Sequence, residues 1–244
     1  RGHRIHSPGP HLIPHSNDYE GVLDTARVIA CQEKRRDLIR QQAEKLGDSH
    51  RGKTQIETAL LEEVSNLVEW PKSIIGSFDE EFLQVPAEAL VASMQDHQKF
   101  FPVTDRDTGQ LQARFIAVAN LDSEDFSAVT EGFERVIRPR LADARFFWEQ
   151  DKKSPLEDCL TLLDGIVFQK NLGTVGDKSR RLESISKKLS EVSKIDESSP
   201  ARAALLCKCD LVSQMVGEFP ELQGVMGDYY ARQSGETPDV AKAI

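Results

Sequence analysis

The sequence predicts an α+β protein with a mixed first half and an all-helical second half. Before residue 123, apolar runs that indicate strands (Lys99–Val103 and Leu111–Ala119) alternate with segments of helical periodicity. After residue 123 the helical periods continue and no strand is predicted. The polar, helix-breaking run at 151–155 marks the boundary. We therefore expect an α+β domain at 1–152 and a helical domain at 153–244.

The first half begins with a run rich in proline, glycine and histidine at 1–15, which predicts a strand end followed by a loop. Asn17 and Asp18 then cap a predicted long helix that runs to about Leu46. The other predicted elements are a helix opened by a capping box at 54–57, a strand at 73–78, a short helix at 86–95, and the two strands named above.

The second half contains three helix starts at which Ser or Thr precedes proline, near residues 155, 200 and 238. Between Ala203 and Val216 only Lys208 and Asp210 are charged, which predicts one continuous interior helix. Because a buried carboxylate needs a partner, Asp210 is expected to pair with a residue from elsewhere. The candidate partners are Lys178, Arg180 and Arg181.

The composition is that of an ordinary globular protein, with 39% hydrophobic and 29% charged residues. No apolar run is long enough to cross a membrane, and no signal peptide is recognisable. The net charge of −9 does not by itself suggest a nucleic-acid binder, although the first 53 residues are net basic. The four cysteines have no metal-ligand spacing and are expected to be reduced, buried side chains: Cys31, Cys159, Cys207 and Cys209.

Two basic segments are candidate contacts for nucleic acid. The first is the polar side of the predicted long helix, for which a solvated surface is the alternative. The second surrounds Pro139, where arginine forks could bind phosphate groups. The alternative there is an internal network that pairs Arg138 or Arg140 with Asp143 and neighbouring carboxylates. The candidate residues are Lys34, Arg35, Arg36 and Arg40 in the first segment, and Arg135, Arg138, Arg140 and Arg145 in the second.

Other motifs do not form recognisable sites. Gly173–Ser179 lacks the spacing of a phosphate-binding loop and predicts a helix start with Asp177 in its first turn. The three histidines at 6, 11 and 15 lack accompanying carboxylates, so loop or RNA-facing positions are preferred to a metal site. No catalytic residue and no metal ligand is assigned.

Segments in nearly every part of the chain resemble the β subunit of bacterial-type glycyl-tRNA synthetase, the form made of separate α and β chains. They occur in the family's order. They are RGHR (1–4), LLEEVSNLVEWP (60–71), FLQVPAEAL (82–90), QKFFPV (98–103), FIAVAN (115–120), RVIRPRLADARFFWEQD (135–151), QKNLGTVGDK (169–178) and LLCKCDLVSQMVGEFPELQGVMGDYYA (205–231).

This resemblance implies a first domain similar to the editing domain of the phenylalanyl-tRNA synthetase large subunit. It also implies a helical domain similar to a degenerate HD-type domain. Asp210 lies at the place comparable to that domain's His-Asp pair and would be structural. The HD fold's metal site needs histidines, and none follows His97. The chain is expected to be an internal piece of a longer subunit.

For function, the resemblance implies a cytoplasmic glycine–tRNA ligase that uses ATP and Mg²⁺ on its α subunit. This piece would hold no cofactor and would contribute tRNA binding and subunit bridging. Its expected partners are the α subunit, the glycine tRNA and a second β subunit, with no membrane. The alternatives are an aminoacyl-tRNA deacylase, an HD-type phosphohydrolase or a purely structural scaffold. For a deacylase, His97–Lys99 is the one polar cluster to probe.

Overall fold

A computed structural model describes residues 1–244, which form two compact units, Arg1–Ala142 and Asp143–Ile244. The first unit combines a four-stranded sheet with helices, and the second is helical apart from one two-stranded hairpin. The α+β class is confirmed. The division between the units falls inside a long helix at 127–151, whereas the sequence places a domain limit at 152, where that helix ends.

The sheet of the first unit is antiparallel, with strand order β1-β3-β4-β2. The three predicted strands that follow residue 70 are confirmed, with shifts of one or two residues at their ends, whereas the strand end predicted within 1–15 is wrong because that run contains no strand. β1 was missed because it is only three residues long, and the capping box proposed there is wrong. Thr54 lies in this strand, and its hydroxyl donates to the carbonyl of Ala43 at 2.7 Å. The strands are β1 Gly52–Thr54, β2 Pro71–Ser77, β3 Phe101–Asp105 and β4 Leu111–Asn120.

Five α-helices belong wholly or partly to this unit, and the predicted single helix from 17 to about 46 is wrong. The chain turns between the first two helices, where Arg27 has a φ of 60°. The turn is held because the amide of Ile29 donates to the carbonyl of Glu69 at 2.9 Å. The helices are α1 Tyr19–Thr25, α2 Gln32–Ser49, α3 Thr58–Leu67, α4 Ala87–Ala92 and α5 Ser127–Asp151.

The core of the first unit occupies both faces of the sheet. Ile116 packs with Ile39 of α2 and Leu61 of α3 in one buried cluster. Its neighbour Phe115 points to the other face, because successive strand residues alternate. There the Phe115 ring stacks on Phe100, with ring centroids 4.6 Å apart. The sheet is therefore covered on both sides, which fixes its helices in place.

The second unit contains one long helix, α7, and several short ones. The predicted continuous helix between Ala203 and Val216 is wrong, because α8 ends at Leu206 and a 3₁₀ turn, Cys209–Val212, precedes α9. The small hairpin was missed because strands of three and two residues show no periodicity. The elements are α6 Leu160–Leu163, β5 Val167–Gln169, β6 Gly173–Thr174, α7 Val175–Ser193, α8 Ser198–Leu206, α9 Gln214–Glu218, α10 Val225–Gln233 and α11 Pro238–Ala243.

Several predicted helix starts are confirmed in detail. Thr174 and Asp177 form a reciprocal capping box at the start of α7, with N–O distances of 3.0 and 2.9 Å. Thr237 caps α11 by accepting from the amide of Val240. The predicted cap at Ser199 is wrong, because α8 begins at Ser198 with Glu197 as its N-cap. The predicted helix start at Ser154-Pro155 is a 3₁₀ turn, Leu156–Cys159. None of the helices combines the length and apolar character needed to cross a membrane.

Candidate nucleic-acid interface

Arg35 of α2 is half-buried, and its guanidinium is bonded to backbone carbonyls. Its Nε donates to the carbonyl of Ser65 at 2.8 Å. Its Nη1 donates to the carbonyls of Ile29 and Ala30 at 2.6 and 2.9 Å. Because these bonds join the segment before α2 to the end of α3, Arg35 stabilises the fold and cannot also bind a phosphate through the same donors.

The other basic residues of α2 differ in whether a carboxylate compensates their charge. Lys34 forms an exposed ion pair with Glu20, with 2.6 Å between Nζ and Oε2. Arg36 lies 3.9 Å from the carboxylate of its neighbour Asp37. Arg40 is half-buried and forms no ion pair. The predicted basic side of α2 is thus reduced to Arg40 as an uncompensated charge.

On α5, an acidic residue fixes the helix to the sheet. Glu134 accepts from both the amide and the hydroxyl of Ser77 at the end of β2, each at 2.8 Å. One turn later, Arg138 pairs with Asp79 at 2.8 Å between Nη1 and Oδ2. The choice of Asp143 as the partner in the alternative network is therefore wrong, because Arg138 pairs with a carboxylate of the segment after β2.

Arg135 and Arg140 are exposed on α5 and form no ion pair. They are five residues apart and therefore do not form one joint binding site. Each presents a full set of guanidinium donors to solvent. Arg145 is also exposed, lies in the second unit and is engaged in an interaction of its own. Of the arginines predicted on α5, Arg135 and Arg140 are the uncompensated charges.

Asp210 is fully buried in the second unit, and its predicted partners are wrong. Its Oδ2 accepts from the backbone N–H of Gly224 at 2.5 Å, while Oδ1 has no partner. Burial raises the pKa of this carboxyl, against the backbone hydrogen bonds from Gly224 and Gly227, which lower it. Arg180 instead donates to both carboxylate oxygens of Asp164 at 2.8 Å.

A second carboxylate, Asp151, organises the same unit and was not singled out by sequence. Its oxygens accept from the amides of Gln214 and Met215, which open α9, and from the hydroxyl of Tyr230 at 2.7 Å. Burial raises the pKa of Tyr230, and the Asp151 carboxylate raises it further. A cavity of about 170 Å³ adjoins this network, and Cys159 is among its lining residues. Because both carboxylate oxygens of Asp151 accept hydrogen bonds within the unit, Asp151 has a structural role and does not form a catalytic pair.

No three His, Cys, Asp or Glu side chains are arranged to hold a metal ion. Of the four cysteines only Cys209 is fully buried, and burial raises the pKa of its thiol to about 12. In the 97–99 cluster, Lys99 has a φ of 58° and pairs with Glu63 at 3.0 Å. Nothing in these places supports a hydrolytic site.

The described geometry is that of an α+β unit and a helical unit that carry exposed arginines and no metal-binding cluster. Residues 1–244, the whole chain, match the family described as the glycyl-tRNA synthetase beta subunit. Similar curated proteins include the glycine–tRNA ligase beta subunits of Chromohalobacter salexigens and Dichelobacter nodosus, each 48% identical over 244 residues. That of Acinetobacter baylyi is 46% identical over 243 residues.

Each of these matches covers 100% of this chain. The chain therefore belongs to the glycyl-tRNA synthetase beta subunit family. It spans 35% of the length of these relatives, so about a third of the subunit is described by this structure.

Proposed function

We propose that this chain is part of the beta subunit of a glycine–tRNA ligase, in which it contributes tRNA binding and subunit bridging. Glycine activation with ATP and Mg²⁺ is assigned to the α subunit, and no residue of this chain is assigned to that chemistry. The partners are the α subunit, the glycine tRNA and a second beta subunit, in the cytoplasm. Family membership over the whole chain supports the proposal.

The observation that carries the tRNA role is the state of Arg135 and Arg140. Both are exposed on α5 without a carboxylate partner, in a chain whose net charge is −9. An acidic protein can bind RNA where a local positive charge is left uncompensated. An arginine presents five N–H donors in a planar fork that fits phosphate oxygens, and such contacts position the nucleic acid without reading its sequence.

The finer fold relationships belong to the same proposal. The first unit is proposed to resemble the editing domain of the phenylalanyl-tRNA synthetase large subunit, and the second a degenerate HD-type domain. Domain limits of 1–152 and 153–244 accompany that assignment. An antiparallel sheet covered on both faces supports the first relationship. The buried, backbone-bonded Asp210 supports a structural role in the second.

The test is tRNA binding by the full-length α/β enzyme across a salt series of about 50 to 200 mM. The variant is Arg135→Ala with Arg140→Ala. If both arginines contact phosphates, the slope of log K against log salt becomes shallower by about 2 units, because each contact releases about one counterion. Affinity at low salt falls accordingly, whereas the activation of glycine with ATP is unchanged.

The matched control is Arg106→Ala, because Arg106 is an exposed arginine of the same unit that is paired with Asp48. It is expected to leave the salt slope at the wild-type value. A double variant with an unchanged slope would contradict the assignment of α5 to tRNA, and Arg40 of α2 would be the next residue to substitute.

A further inference from the structure

The β5–β6 hairpin is an exposed element of the helical unit. The three residues of β5, Val167, Phe168 and Gln169, are all exposed. The turn after them is set by local bonds: the amide of Leu172 donates to the carbonyl of Gln169, and the amide of Asn171 donates to the Gln169 side chain, each at 2.8 Å. The hairpin therefore has an ordered turn although the side chains of β5 are not packed in the core.

One aromatic ring of the hairpin is oriented by a cation. The ammonium of Lys178, near the start of α7, lies 4.2 Å from the ring centroid of Phe168, which is a cation–π contact. The start of α7 is joined to the hairpin because the amide of Val175 donates to the carbonyl of Ile166 at 2.8 Å. Phe168 is nevertheless 42% exposed. The ring is therefore oriented by the protein and remains accessible from solvent.

The charge around the hairpin is positive, in contrast to the chain as a whole. Residues 164–181 contain four basic and two acidic residues, a net of +2, whereas the chain has a net charge of −9. Both carboxylates are engaged. Asp164 accepts two bonds from Arg180, and Asp177 belongs to the capping box of α7 and lies 3.5 Å from Arg180. Because Asp177 also lies one turn before Arg181, neither arginine is counted as a free charge.

Two lysines of this segment form no ion pair. Lys170 is exposed in the turn of the hairpin, and Lys178 makes the contact with the ring of Phe168. An aromatic ring beside positive charge is the combination with which proteins bind unpaired nucleotides, because a base stacks on the ring and the phosphates are attracted to the charge. The bases of a duplex are stacked on one another and are not free to stack on a side chain. The hairpin therefore suits single-stranded RNA.

An apolar protein surface is a less suitable occupant for this side of the hairpin. Such a surface would remove the ammonium groups of Lys170 and Lys178 from water without supplying a partner for them, which is costly. Val167, which is 74% exposed, does not contribute to the same side as Phe168, because successive strand residues alternate. The side that carries the ring therefore combines one aromatic residue with positive charge.

We propose that the β5–β6 hairpin binds an unpaired nucleotide of the tRNA, with the base stacked on Phe168 and the phosphates near Lys170 and Lys178. This inference rests on the proposed tRNA role and adds to it a contact made by the helical unit. The contact positions a single-stranded part of the tRNA without reading its sequence, because every base has a face that can stack.

The first test is the Kd of the full-length α/β enzyme for the glycine tRNA. Phe168→Ala is expected to raise this Kd at least about fivefold, the low end of the loss of one stacked base. The slope of log K against log salt stays at the wild-type value, because the ring carries no charge. Phe168→Trp is expected to keep the wild-type Kd, since indole also offers a stacking surface. Val167→Ala, on the opposite side of β5, is the matched control and leaves the Kd unchanged.

The lysine at the tip is tested by the same salt series. Lys170→Ala is expected to make the slope shallower by about 0.7, the value for one phosphate contact of a single strand. Lys187→Ala is the matched control, because Lys187 is paired with Glu183. Equal slopes for Lys170→Ala and the wild type would overturn the assignment of Lys170 to a phosphate.

The second test identifies what lies against the ring and does not depend on a loss of affinity. A photoreactive phenylalanine analogue is placed at position 168 of the full-length beta subunit in the α/β enzyme, with position 167 as the control. The expected product joins residue 168 to a nucleotide outside the stems of the glycine tRNA. Crosslinks to the α subunit, to a beta polypeptide or to paired nucleotides would overturn the proposal, and so would a yield no higher than that at position 167.

These results separate the hairpin from the tRNA contact proposed on α5. If Arg135→Ala with Arg140→Ala makes the salt slope shallower while Phe168→Ala leaves the Kd unchanged, the hairpin assignment is lost and the role of α5 stands. If Phe168→Ala raises the Kd while the double variant keeps the wild-type slope, the hairpin assignment stands and that of α5 is lost. Phe168→Trp with the same loss as Phe168→Ala would contradict base stacking.

Discussion

The basic segment of α2 and the arginines of α5 look alike in sequence and differ in the structure. In α2, the guanidinium of Arg35 is occupied by three backbone carbonyls, and Lys34 is paired with Glu20. In α5, Arg135 and Arg140 have no such partners. The sequence therefore shows how many basic residues a segment contains, but it does not show which of them remain available to bind a ligand.

The difference follows from where each helix lies. The start of α2 adjoins the carbonyls of Ile29 and Ala30, which are not used within a helix, so the nearby Arg35 can satisfy them. Arg135 and Arg140 occupy the exposed side of α5, where Glu134 and Arg138 already make its contacts with β2 and the segment after it. The carbonyls near the start of α2 therefore bind the guanidinium of Arg35, whereas no such carbonyls bind Arg135 and Arg140 of α5.

The strongest way to break this comparison is Arg35→Ala. We expect it to lower the free energy of unfolding by about 3 kcal/mol, because it removes three hydrogen bonds from a charged donor and leaves carbonyls unsatisfied. Urea unfolding of the chain measures the loss, and Arg35→Lys should restore only part of it. Arg40→Ala is the matched control in α2 and is expected to be nearly neutral. Equal effects of the two alanine variants would remove the distinction between internal and free arginines.

Asp210 is an acidic residue for which the sequence and the structure also give different partners. Sequence predicts that a lysine or arginine partner holds it ionised, whereas the structure gives it backbone amides and raises its pKa through burial. A carboxyl with a raised folded-state pKa binds protons more tightly when folded. Stability from this group is therefore greatest at low pH and falls as pH rises from the unfolded toward the folded pKa.

We expect Asp210→Asn to gain stability relative to the parent chain as pH rises above the ordinary aspartate range, because the amide cannot ionise. Urea unfolding of both chains between about pH 4 and pH 7 measures the difference, since the unfolded carboxyl titrates near the lower limit. A difference that instead moves in favour of the parent chain as pH rises would indicate an ion-paired Asp210, as the sequence had suggested.

Elements with strong local signals could be predicted from the sequence. The strands β2 and β4 were predicted from their apolar runs, and the start of α7 was predicted from Asp177 in its first turn, whereas the reciprocal cap with Thr174 was not predicted. The breaks after α1 and after Leu206 could not be predicted. They depend on long-range bonds, such as that from Ile29 to Glu69 and that from Gly224 to Asp210. Periodicity describes a segment by itself and contains no information about such partners.

The candidate site could be predicted only as a set of residue types. Arg135 and Arg140, which are exposed, were predicted as candidate tRNA contacts in the same way as Arg35, whose carbonyl partners lie up to 30 residues away. The exposed apolar stripe on α7 had a usable signal in the spacing of Ile185, Leu189 and Val192. It was overlooked because an apolar stripe normally indicates a helix side that is buried. Only the structure shows that Ser179 and Ser190 occupy the inner side instead.

The smallest expected effect separates a tRNA-contacting α5 from a purely structural one. Arg138 and Asp79 form an exposed pair, and pairs of this kind contribute about 1 kcal/mol or less. We expect Arg138→Ala to lower stability by at most that amount in urea unfolding, and Arg140→Ala to have no measurable effect on stability. A scaffold predicts that both variants lower stability or weaken association with the α subunit while tRNA affinity stays unchanged. If Arg140→Ala destabilises the chain as much as Arg138→Ala does, Arg140 has an internal partner, and its assignment to phosphate is lost.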